Sequence, residues 1–587
     1  MIRVIFIYFI FLSTLLNAHT FYVSKNGSSI PPYSSWASAA DSIYKAIEIA
    51  QDGDTIMIAN GRYRENFEVE NELCFLGMSR DSTIIDGKGL NSSTIIIREI
   101  CTFANLRFIG KEILFGELNI ILESTADSLT ILNCRFDSSN AAIGTIGSIF
   151  CDNLIFTHCA VGVDLADLSM ASRAVIKNSD FLISELGFGI SLSHYGHLIV
   201  ENCLMVPISF DGLSEGISAV FSMKSLLIKN NIINSAQNRA ISTEEVQDFI
   251  IIENNTFCNQ WADQLNSLAA IYTYKSNQPV ITNNIFYNCH TGIFLQGTTI
   301  YPQNIDYNCF WDNDYNVIGG HSGENDIIEY PMFYKDPVQG YKDDFDVHLQ
   351  KYSPLIDMGD STLFDVDGSR SDIGAYGGAG GKSYIYQDLA PLPPQGFSIS
   401  APDSINGFLF NWDDNYEKDF MGYYLYRSFL WNFQPSPEYL LDTVYENSFV
   451  DTFVTPTLNY YYVLTAIDSA GNESGPTERL HGRIVSVEDE AELEPTYQLN
   501  QNYPNPFNPK TIIEYQLEKE SRVFLEVLNV QGERVEVLAN GIQSEGNHSV
   551  VFDGSNLASG VYIYRIQVHD EKGKIVYSHS NKMLLLK

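Results

Sequence analysis

The strongest constraint on the fold is a set of short, similar stretches that recur along the first two-thirds of the chain. Each centres on an asparagine, or once a histidine, with an apolar residue two positions before it, as in ILNCRF (131–136) and IENNTF (252–257). Successive centres are 20 to 29 residues apart. A repeat of this length indicates one structural unit stacked on copies of itself, and alternating apolar and polar residues indicate strands. The centres are Asn105, Asn133, His158, Asn178, Asn202, Asn230, Asn254, Asn283 and Asn308.

Asparagine suits a bend between two strands of such a coil. It tolerates left-handed backbone geometry better than most residues, and amides on successive rungs, about 4.8 Å apart, can hydrogen-bond in a ladder. We therefore expect the column to be structural, with His158 replacing one rung.

The repeat frames resemble the right-handed parallel β-helix of pectate-lyase-like proteins. DSIYKAIEIAQDGDTIMIANGRYREN (41–66) resembles the opening of such domains, in which a short amphipathic helix covers the first rung. SPLIDMGDSTLFDVDGSRSDIGAYGG (353–378) resembles the closing segment of many secreted bacterial β-helix proteins. The resemblance implies an all-β, right-handed parallel β-helix over residues 20–382.

Two smaller all-β domains are expected after the solenoid. A linker at 383–396 contains PLPPQG and leads into 397–485, whose alternating strands resemble a fibronectin type III domain with Trp412 in its core and Tyr460 as the corner tyrosine. Residues 486–496 form an acidic linker that should be extended.

The last segment, 497–587, is predicted to be another antiparallel β-sandwich. It carries YPNPFNP (503–509), VLNVQGERV (527–535), DGSNLASGVYIYRI (553–566) and a final KMLLLK. Together and in this order, these pieces resemble the C-terminal sorting domain of proteins exported by the type IX secretion system. The resemblance implies that the secretion machinery is a partner of this segment. An ordinary immunoglobulin-like end domain without a sorting role is the alternative.

The N-terminus and the net charge limit the location and the partners. Residues 1–18 combine Arg3, an apolar run and a small residue, as a secretory signal peptide does, and no later apolar run is long enough to span a bilayer. We expect a monomer that is secreted, or displayed on the outer surface of a Gram-negative-type bacterium. The formal net charge of −37 disfavours nucleic acid as a partner. It would also repel a strongly anionic polysaccharide unless calcium or a local basic patch intervened.

The nine cysteines all lie within the predicted solenoid, and an odd number rules out complete intramolecular pairing. Cys134, Cys159, Cys203 and Cys309 directly follow the proposed column. Buried, reduced thiols are the favoured interpretation, although neighbouring rungs could also permit a Cys134–Cys159 bridge.

A second set of stretches predicts one outward face of the solenoid. GISLSH (189–194), GISAVF (216–221), AISTEE (240–245), AIYTYK (270–275) and GIFLQG (292–297) align with isoleucine at their second position, which should point inward. The alternating outward positions then include Glu244, Tyr272, Tyr274, Phe294 and Gln296, with His194, Glu245 and Lys275 at strand ends. Aromatic faces and hydrogen-bonding groups together suggest a surface for sugars, although exposed strand positions filled by β-forming residues would look similar.

Two reaction types could use this face, and whether the protein is an enzyme stays open. In a polysaccharide lyase, Lys275 would be the base, provided that its pKa is lowered, and Arg239 the cation that acidifies the substrate. A glycoside hydrolase needs two carboxyl groups about 5–9.5 Å apart. Glu244 and Glu245 point to opposite sides, so Glu244 would need a carboxylate from another rung, such as Glu215 or Asp263.

The carboxylates of DVDG (365–368) and of Asp372 suggest a calcium loop formed by Asp365, Asp367 and Asp372. A structural turn is the competing interpretation. The leading hypothesis is a β-helix protein that binds an extracellular polysaccharide, with cleavage of that polysaccharide left open. The alternative is a non-catalytic surface protein that recognises another protein.

Overall fold

The structure is a computed structural model, and its contacts divide the chain into two units. Unit one comprises residues 1–392, 415–421 and 467–474, and unit two comprises 393–414, 422–466 and 475–587. The predicted signal peptide, apart from Ala18, and the acidic linker lie outside the described residues, and the predicted domain boundaries stay predictions. The structure describes residues 18–586 except 88–94, 111–119, 167–170, 208–212, 221–222, 235–237, 261–268, 299–303, 338–344, 403–406, 457, 485–496, 503 and 571–572.

Unit one is built almost entirely of short strands. Its one described α-helix is α1 (Ile43–Ile47). Its strands are β1 (Thr20–Val23), β2 (Thr55–Ile58), β3 (Gly61–Tyr63), β4 (Phe67–Val69), β5 (Leu73–Gly77), β6 (Thr83–Asp86), β7 (Ile95–Ile97), β8 (Cys101–Ala104), β9 (Arg107–Ile109), β10 (Ile120–Ser124), β11 (Ser128–Leu132), β12 (Arg135–Thr145), β13 (Ser148–Asp152), β14 (Ile155–Ala166), β15 (Arg173–Lys177), β16 (Asp180–Ser193), β17 (His197–Glu201), β18 (Leu204–Pro207), β19 (Leu213–Val220), β20 (Ser225–Lys229), β21 (Ile232–Asn234), β22 (Arg239–Glu244), β23 (Phe249–Glu253), β24 (Thr256–Cys258), β25 (Ala269–Tyr274), β26 (Val280–Thr282), β27 (Ile285–Tyr287), β28 (Thr291–Gln296), β29 (Ile305–Asp306), β30 (Cys309–Trp311), β31 (Tyr315–Ile318), β32 (Phe333–Lys335) and β33 (Asp346–Leu349).

The strands β1 to β31 stack in parallel, so the predicted β-solenoid is confirmed. The first face is a twelve-stranded sheet in the order β1-β2-β5-β8-β11-β13-β15-β17-β20-β23-β26-β29. The second face runs β3-β6-β9-β12-β14-β16-β18-β21-β24-β27-β30. The third face runs β4-β7-β10-β12-β14-β16-β19-β22-β25-β28-β31, and the long strands β12, β14 and β16 pass through both of the last two faces.

Stacked phenylalanines fill much of the interior behind the second face. Phe108 and Phe136 stack at 4.9 Å between ring centroids, Phe136 and Phe156 at 5.3 Å, and Phe156 and Phe181 at 4.6 Å. All four rings are fully buried. Because each ring packs against its copy one rung away, the repeat period and the core support each other.

The asparagine column exists, but two of its predicted members are wrong. The bend between the first and second faces has left-handed backbone at Asn133, at Asn153 and at Tyr307. On this rung the column position is held by Asn153 rather than His158. The backbone amide of Asn153 donates to the rung after it, and its side chain donates to Asn133 at 3.0 Å. His158 occupies a second left-handed bend in the middle of β14.

Asn308 belongs to a second, inner ladder one residue after the column. The side chains of Asn231, Asn255, Asn284 and Asn308 each donate to the next member, at 3.0, 2.9, 3.1 and, for the last step to Asp326, 3.3 Å. The four asparagines are fully buried. They also donate to carbonyls of the first face, so they satisfy buried backbone groups at the bend.

All nine cysteines are free thiols, so the suggested Cys134–Cys159 bridge is absent. Eight of them are buried, and Cys74 is partly exposed. Burial raises the pKa of each thiol, to about 12 for Cys134 and Cys159, so these side chains behave as small apolar residues.

The helix α1 covers the first rung as expected. Ser42 caps it by accepting a hydrogen bond from the Lys45 amide at 3.4 Å, and Ile43 and Ala46 are fully buried. An uncovered rung would expose apolar side chains and unpaired backbone groups, so this helix protects the edge.

The segment that follows the last rung packs along the second face. Cys258, Ile285 and Cys309, on the second face, form one apolar cluster with Phe333 and Leu355. The outer asparagines bind the same segment. Asn230 donates to the carbonyls of Ala375 and Gly377, Asn254 donates to that of Asp372, and Asn283 accepts from the amide of Asp360, at distances of 2.6–3.0 Å. The later rungs of the second face are therefore covered.

Unit two contains two antiparallel β-sandwiches, as predicted. In the first, Trp412 is 3% exposed and the Tyr460 hydroxyl accepts a hydrogen bond from the Thr455 amide at 2.8 Å. In the second, the C-terminal KMLLLK sequence continues the last strand, with Met583 and Leu585 buried. The strands are β34 (Ser398–Ser400), β35 (Phe408–Asn411), β36 (Phe420–Ser428), β37 (Leu440–Val444), β38 (Ser448–Asp451), β39 (Tyr460–Asp468), β40 (Leu480–Gly482), β41 (Gln498–Leu499), β42 (Lys510–Leu517), β43 (Ser521–Leu528), β44 (Arg534–Gln543), β45 (Gly546–Asp553), β46 (Gly560–His569) and β47 (Ile575–Leu585).

Candidate functional site

The five aligned stretches form neighbouring strands of the third face in the predicted register. Ile190 pairs with Ile217, and the pairing continues through Ile241, Ile271 and Ile293. All five isoleucines are fully buried. The alternate positions therefore point outward, as the sequence predicts.

The outward column of the third face changes character along the solenoid. Over six successive rungs, an aspartate is followed by three serines and then by two aromatic residues. Six rungs span about 24 Å. Ser191 and Ser218 are half-buried, whereas Ser242 is only 1% exposed. The members are Asp164, Ser191, Ser218, Ser242, Tyr272 and Phe294.

Arg239 lies flat on Tyr272 within this column. The guanidinium carbon is 3.8 Å from the ring centroid, and Nη1 donates to the hydroxyl of Ser242 at 3.1 Å. The Tyr272 hydroxyl donates to Gln296 Oε1 at 2.7 Å, and its ring meets the edge of Phe294 at 5.6 Å. Tyr272 is only 6% exposed. The prediction that the ring of Tyr272 is open to a ligand is therefore wrong. This tyrosine instead holds Arg239 in place.

The remaining predicted binding residues lie further along the same strands. Glu244, Tyr274 and Gln296 are outward neighbours on three successive rungs. Glu244, Tyr274 and Phe294 are half-buried, and Gln296 is exposed. These residues place aromatic and hydrogen-bonding surface side by side.

His194, Glu245 and Lys275 occupy matching positions just after their strands, all with left-handed backbone. Lys275 Nζ lies 4.8 Å from the ring centroid of Tyr274. Hydrogen bonding to Tyr274 raises the pKa of the Lys275 amine, so it is protonated near neutral pH. A lysine base needs the opposite shift. Arg239 opens its strand whereas Lys275 follows the next one, which separates their backbones by about 20 Å.

Two further carboxyl groups belong to this face. Asp164 is an exposed residue and Glu215 is half-buried. Partial desolvation of the carboxyl raises the pKa of each, although a hydrogen bond, to Ser191 and Ser218 respectively, lowers it. Glu215 pairs in register with Arg239. The sequence interpretation missed Asp164 because the alignment began one rung too late, although GVDLAD (162–167) has the same frame as GISLSH. Asp263 lies outside the described residues.

The suggested calcium ligands are engaged by their own loop. The carboxylate of Asp365 accepts from the Asp372 amide at 3.1 and 3.2 Å and from the Gly378 amide at 2.5 Å, and Asp367 accepts from the Ser369 hydroxyl at 2.6 Å. Asp372 accepts from the Tyr386 hydroxyl at 2.6 Å, and burial raises its pKa to about 6. These contacts stabilise the turn, and a bound calcium stays a prediction.

Comparison with known proteins matches two parts of the chain. Residues 164–327 match the model of a family described as periplasmic copper-binding protein (NosD), and residues 501–581 match that of the secretion system C-terminal sorting domain. None of the curated proteins compared matches the chain.

Solved structures give weak likenesses. An Fn3-like protein from Clostridium thermocellum is 23% identical over 17% of this chain and 97% of its own, with a TM-score of 0.14. The α-L-rhamnosidase from Dictyoglumus thermophilum is 14% identical over 34% of this chain and 29% of its own, with a TM-score of 0.15. The central fibronectin-III array of RIM-binding protein is 14% identical over 34% of this chain and 69% of its own, with a TM-score of 0.16. TM-scores this low do not establish a shared fold.

The described part of the matched segment 164–327 was compared with the ligands that copper prefers. Copper is held by histidine, cysteine and methionine side chains that converge on one point. Among the described residues of this segment, no three histidine, cysteine or acidic side chains bring ligand atoms within 4.8 Å of one another. The described chain has one such group, Asp388, Asp419 and Asp468, which lies beyond the match.

The sorting domain at 501–581 identifies the chain as an exported protein, at the cell surface or secreted, and implies that it meets the type IX secretion machinery. Across the described ranges, no helix has the length and apolar character needed to cross a membrane.

Proposed function

We propose that the third face, from Asp164 to Gln296, binds a polysaccharide outside the cell. The observation that carries the proposal is the continuous outward surface formed by Glu244, Tyr274, Phe294 and Gln296 on neighbouring rungs. Export places the protein where such polymers occur.

The chemistry of this surface suits sugars. The half-exposed rings of Tyr274 and Phe294 offer apolar area to sugar C–H groups, while Glu244 and Gln296 exchange hydrogen bonds with hydroxyl groups. Arg239, held on Tyr272, adds a fixed cation beside them. Because rungs repeat about every 4.8 Å, equivalent contacts recur along the solenoid axis, which suits an extended polymer better than a compact ligand.

The test is retention of the full chain on a panel of plant, algal and bacterial polysaccharides. The variant Y274A/F294A should lose binding by about tenfold or more, because it removes both half-buried rings of this surface. Phe150 and Phe249 are outward aromatic residues of the first face, 38% and 47% exposed, so F150A/F249A is the matched control and should bind normally. Equal losses in both variants, or no retention by any polysaccharide, would overturn the proposal and favour recognition of another protein.

Hydrolysis of the bound polymer is a second candidate, favoured by the carboxyl groups of Asp164 and Glu215. A general acid must hold its proton to a higher pH than an ordinary carboxyl does, and desolvation raises the pKa of both. The serines that they contact pair in register, about 4.8 Å apart. Glycoside hydrolases need two carboxyl groups about 5–9.5 Å apart, and the contacts with serines on adjacent rungs bring these two carboxyl groups to the same part of the face. β-Elimination has less support, because the pKa of Lys275 is raised, whereas a lysine base needs a lowered pKa.

New reducing ends and the absorbance of unsaturated uronates distinguish the two reactions. Hydrolysis predicts reducing ends without absorbance, and their loss in D164N and in E215Q. Asp248 is an exposed carboxylate outside the face, so D248N should keep full activity. A rise in absorbance, or reducing ends that survive both substitutions, would contradict hydrolysis by these residues.

A further inference from the structure

An unusual group of arginines lies on the second face, away from the proposed sugar surface. Arg62, Arg107 and Arg135 occupy one outward column, with Ile84 between the first two. Arg64 directly follows β3. We call Arg62, Arg64, Arg107 and Arg135 the arginine patch.

Each half of the patch is organised by one carboxylate. Asp86 accepts from Nε of Arg62 at 2.6 Å and from Nε of Arg64 at 3.3 Å, and Asp86 is fully buried. Two cations against one anion leave an excess of one positive charge. The Arg62 side chain is 48% exposed and that of Arg64 is 73% exposed, so both guanidinium groups reach solvent.

The second half repeats this arrangement. Asp137 accepts from Nε of Arg107 at 2.6 Å and from Nε of Arg135 at 2.9 Å, and it is 7% exposed. Both arginine side chains are 30% exposed. Among contacts between described residues, none engages the terminal nitrogens of the four arginines. Those nitrogens are the part of a guanidinium that binds a carboxylate or sulfate through two hydrogen bonds.

The rest of the second face shows that these charges do not serve its packing. On the later rungs Cys258, Ile285 and Cys309 point outward and pack beneath the segment that contains Phe333 and Leu355. The arginine patch, counted with Asp86 and Asp137, carries an excess of two positive charges in a chain of net charge −37. The strands β3 and β12 are three rungs apart, so the patch extends about 14 Å along the axis.

We propose that the arginine patch binds the anionic groups of an acidic polysaccharide, with one carboxylate or sulfate at each half. Two anion positions about 12 Å apart suit a polymer whose charges are widely spaced. Nucleic acid carries a charge about every 1.7 Å, so the remaining acidic surface would repel most of its phosphates. The local patch still acts at close range, because salt screens the distant charges beyond about 8–10 Å. The inference rests on the proposed function for the class of ligand, but not for the site.

The test uses a variant that removes the excess charge and keeps both buried carboxylates paired. In R64Q/R135Q, Arg62 still neutralises Asp86 and Arg107 still neutralises Asp137. The matched control is R98Q/R173Q, which removes two exposed arginines from other faces and so changes the net charge equally. Binding of the full chain to alginate, dextran sulfate, neutral dextran and single-stranded DNA is measured at low and physiological salt.

Wild type should bind alginate or dextran sulfate, whichever anion fits, and neither neutral dextran nor DNA at this site. R64Q/R135Q should weaken that binding by about tenfold or more, because two charge-assisted contacts are lost, and R98Q/R173Q by less than about twofold. Y274A/F294A should retain it, which separates failure of this inference from failure of the third-face proposal. Equal losses in the two arginine variants, preference for DNA, or loss only in Y274A/F294A would overturn the inference.

Discussion

Replacing Asn255 with alanine should open the solenoid locally, because this side chain connects three rungs. Its Nδ2 donates to the carbonyls of Ile228 and Glu253 at 3.0 and 3.1 Å and to the side chain of Asn284 at 2.9 Å. Its Oδ1 accepts from the amide and the side chain of Asn231 at 2.9 and 3.0 Å. Five hydrogen bonds are therefore lost inside the core.

The expected cost follows from burial. Each such bond contributes about 0.5–1.5 kcal/mol, and the Asn231 amide is left buried without a partner, so N255A should cost about 5 kcal/mol. Asn153 is exposed and donates one ladder bond, to Asn133 at 3.0 Å. N153A removes an amide from the outer column and should cost about 1 kcal/mol.

Hydrogen exchange read by mass spectrometry measures this opening on the full chain. Peptides that cover β20 to β27 should exchange about three to four orders of magnitude faster in N255A, and about five times faster near the substitution in N153A. The sandwiches of unit two provide an internal reference and should be unchanged. If N255A accelerates exchange less than tenfold, or no more than N153A does, the argument that the inner ladder stabilises the bend is refuted.

Three further predictions concern the core and its ionisable groups. Because eight thiols are buried and protonated, a thiol reagent should label at most Cys74 quickly in the native protein and all nine cysteines after unfolding; fast native labelling of Cys134 would contradict this. Burial raises the pKa of Asp372 from 3.8 to about 6, so its ionisation should destabilise the folded state by up to about 3 kcal/mol as pH rises from 4 to above 6, and D372N should remove that dependence of the urea midpoint. Identical pH profiles for wild type and D372N would disprove it. F156A, in the middle of the phenylalanine stack, should cost about 3–5 kcal/mol in urea unfolding, against less than about 1 kcal/mol for the exposed control F150A, and similar losses would argue against the stack.

The sequence predicted the solenoid because the repeat recurs in every rung. It did not distinguish the bend between the first and second faces from the bend in the middle of β14. His158 and Asn153 both have left-handed backbone and lie in similar apolar frames, so the local pattern alone could not assign the column. The third-face register was predictable because isoleucine recurs at one position. The burial of Tyr272 was not, because it depends on Arg239 from the neighbouring rung.

Features that depend on contacts between distant parts of the chain could not be predicted from the sequence. The cover over the later rungs of the second face depends on how residues after the last rung dock, which no repeat pattern encodes. The arginine patch is similar, since Arg62 and Arg135 become neighbours only through stacking of the rungs between them. Asp164 could have been predicted from the sequence, because the residues around it follow the same pattern as the five aligned stretches.

Footprinting of the full chain with hydroxyl radicals tests the central claim most directly, using a polysaccharide that retains the protein. Binding along the third face predicts protection of Tyr274 and Phe294, with Phe150 and Phe249 on the first face unchanged. Protection of the first-face residues without protection of Tyr274 and Phe294, or retention by no polysaccharide at all, would contradict a sugar-binding third face.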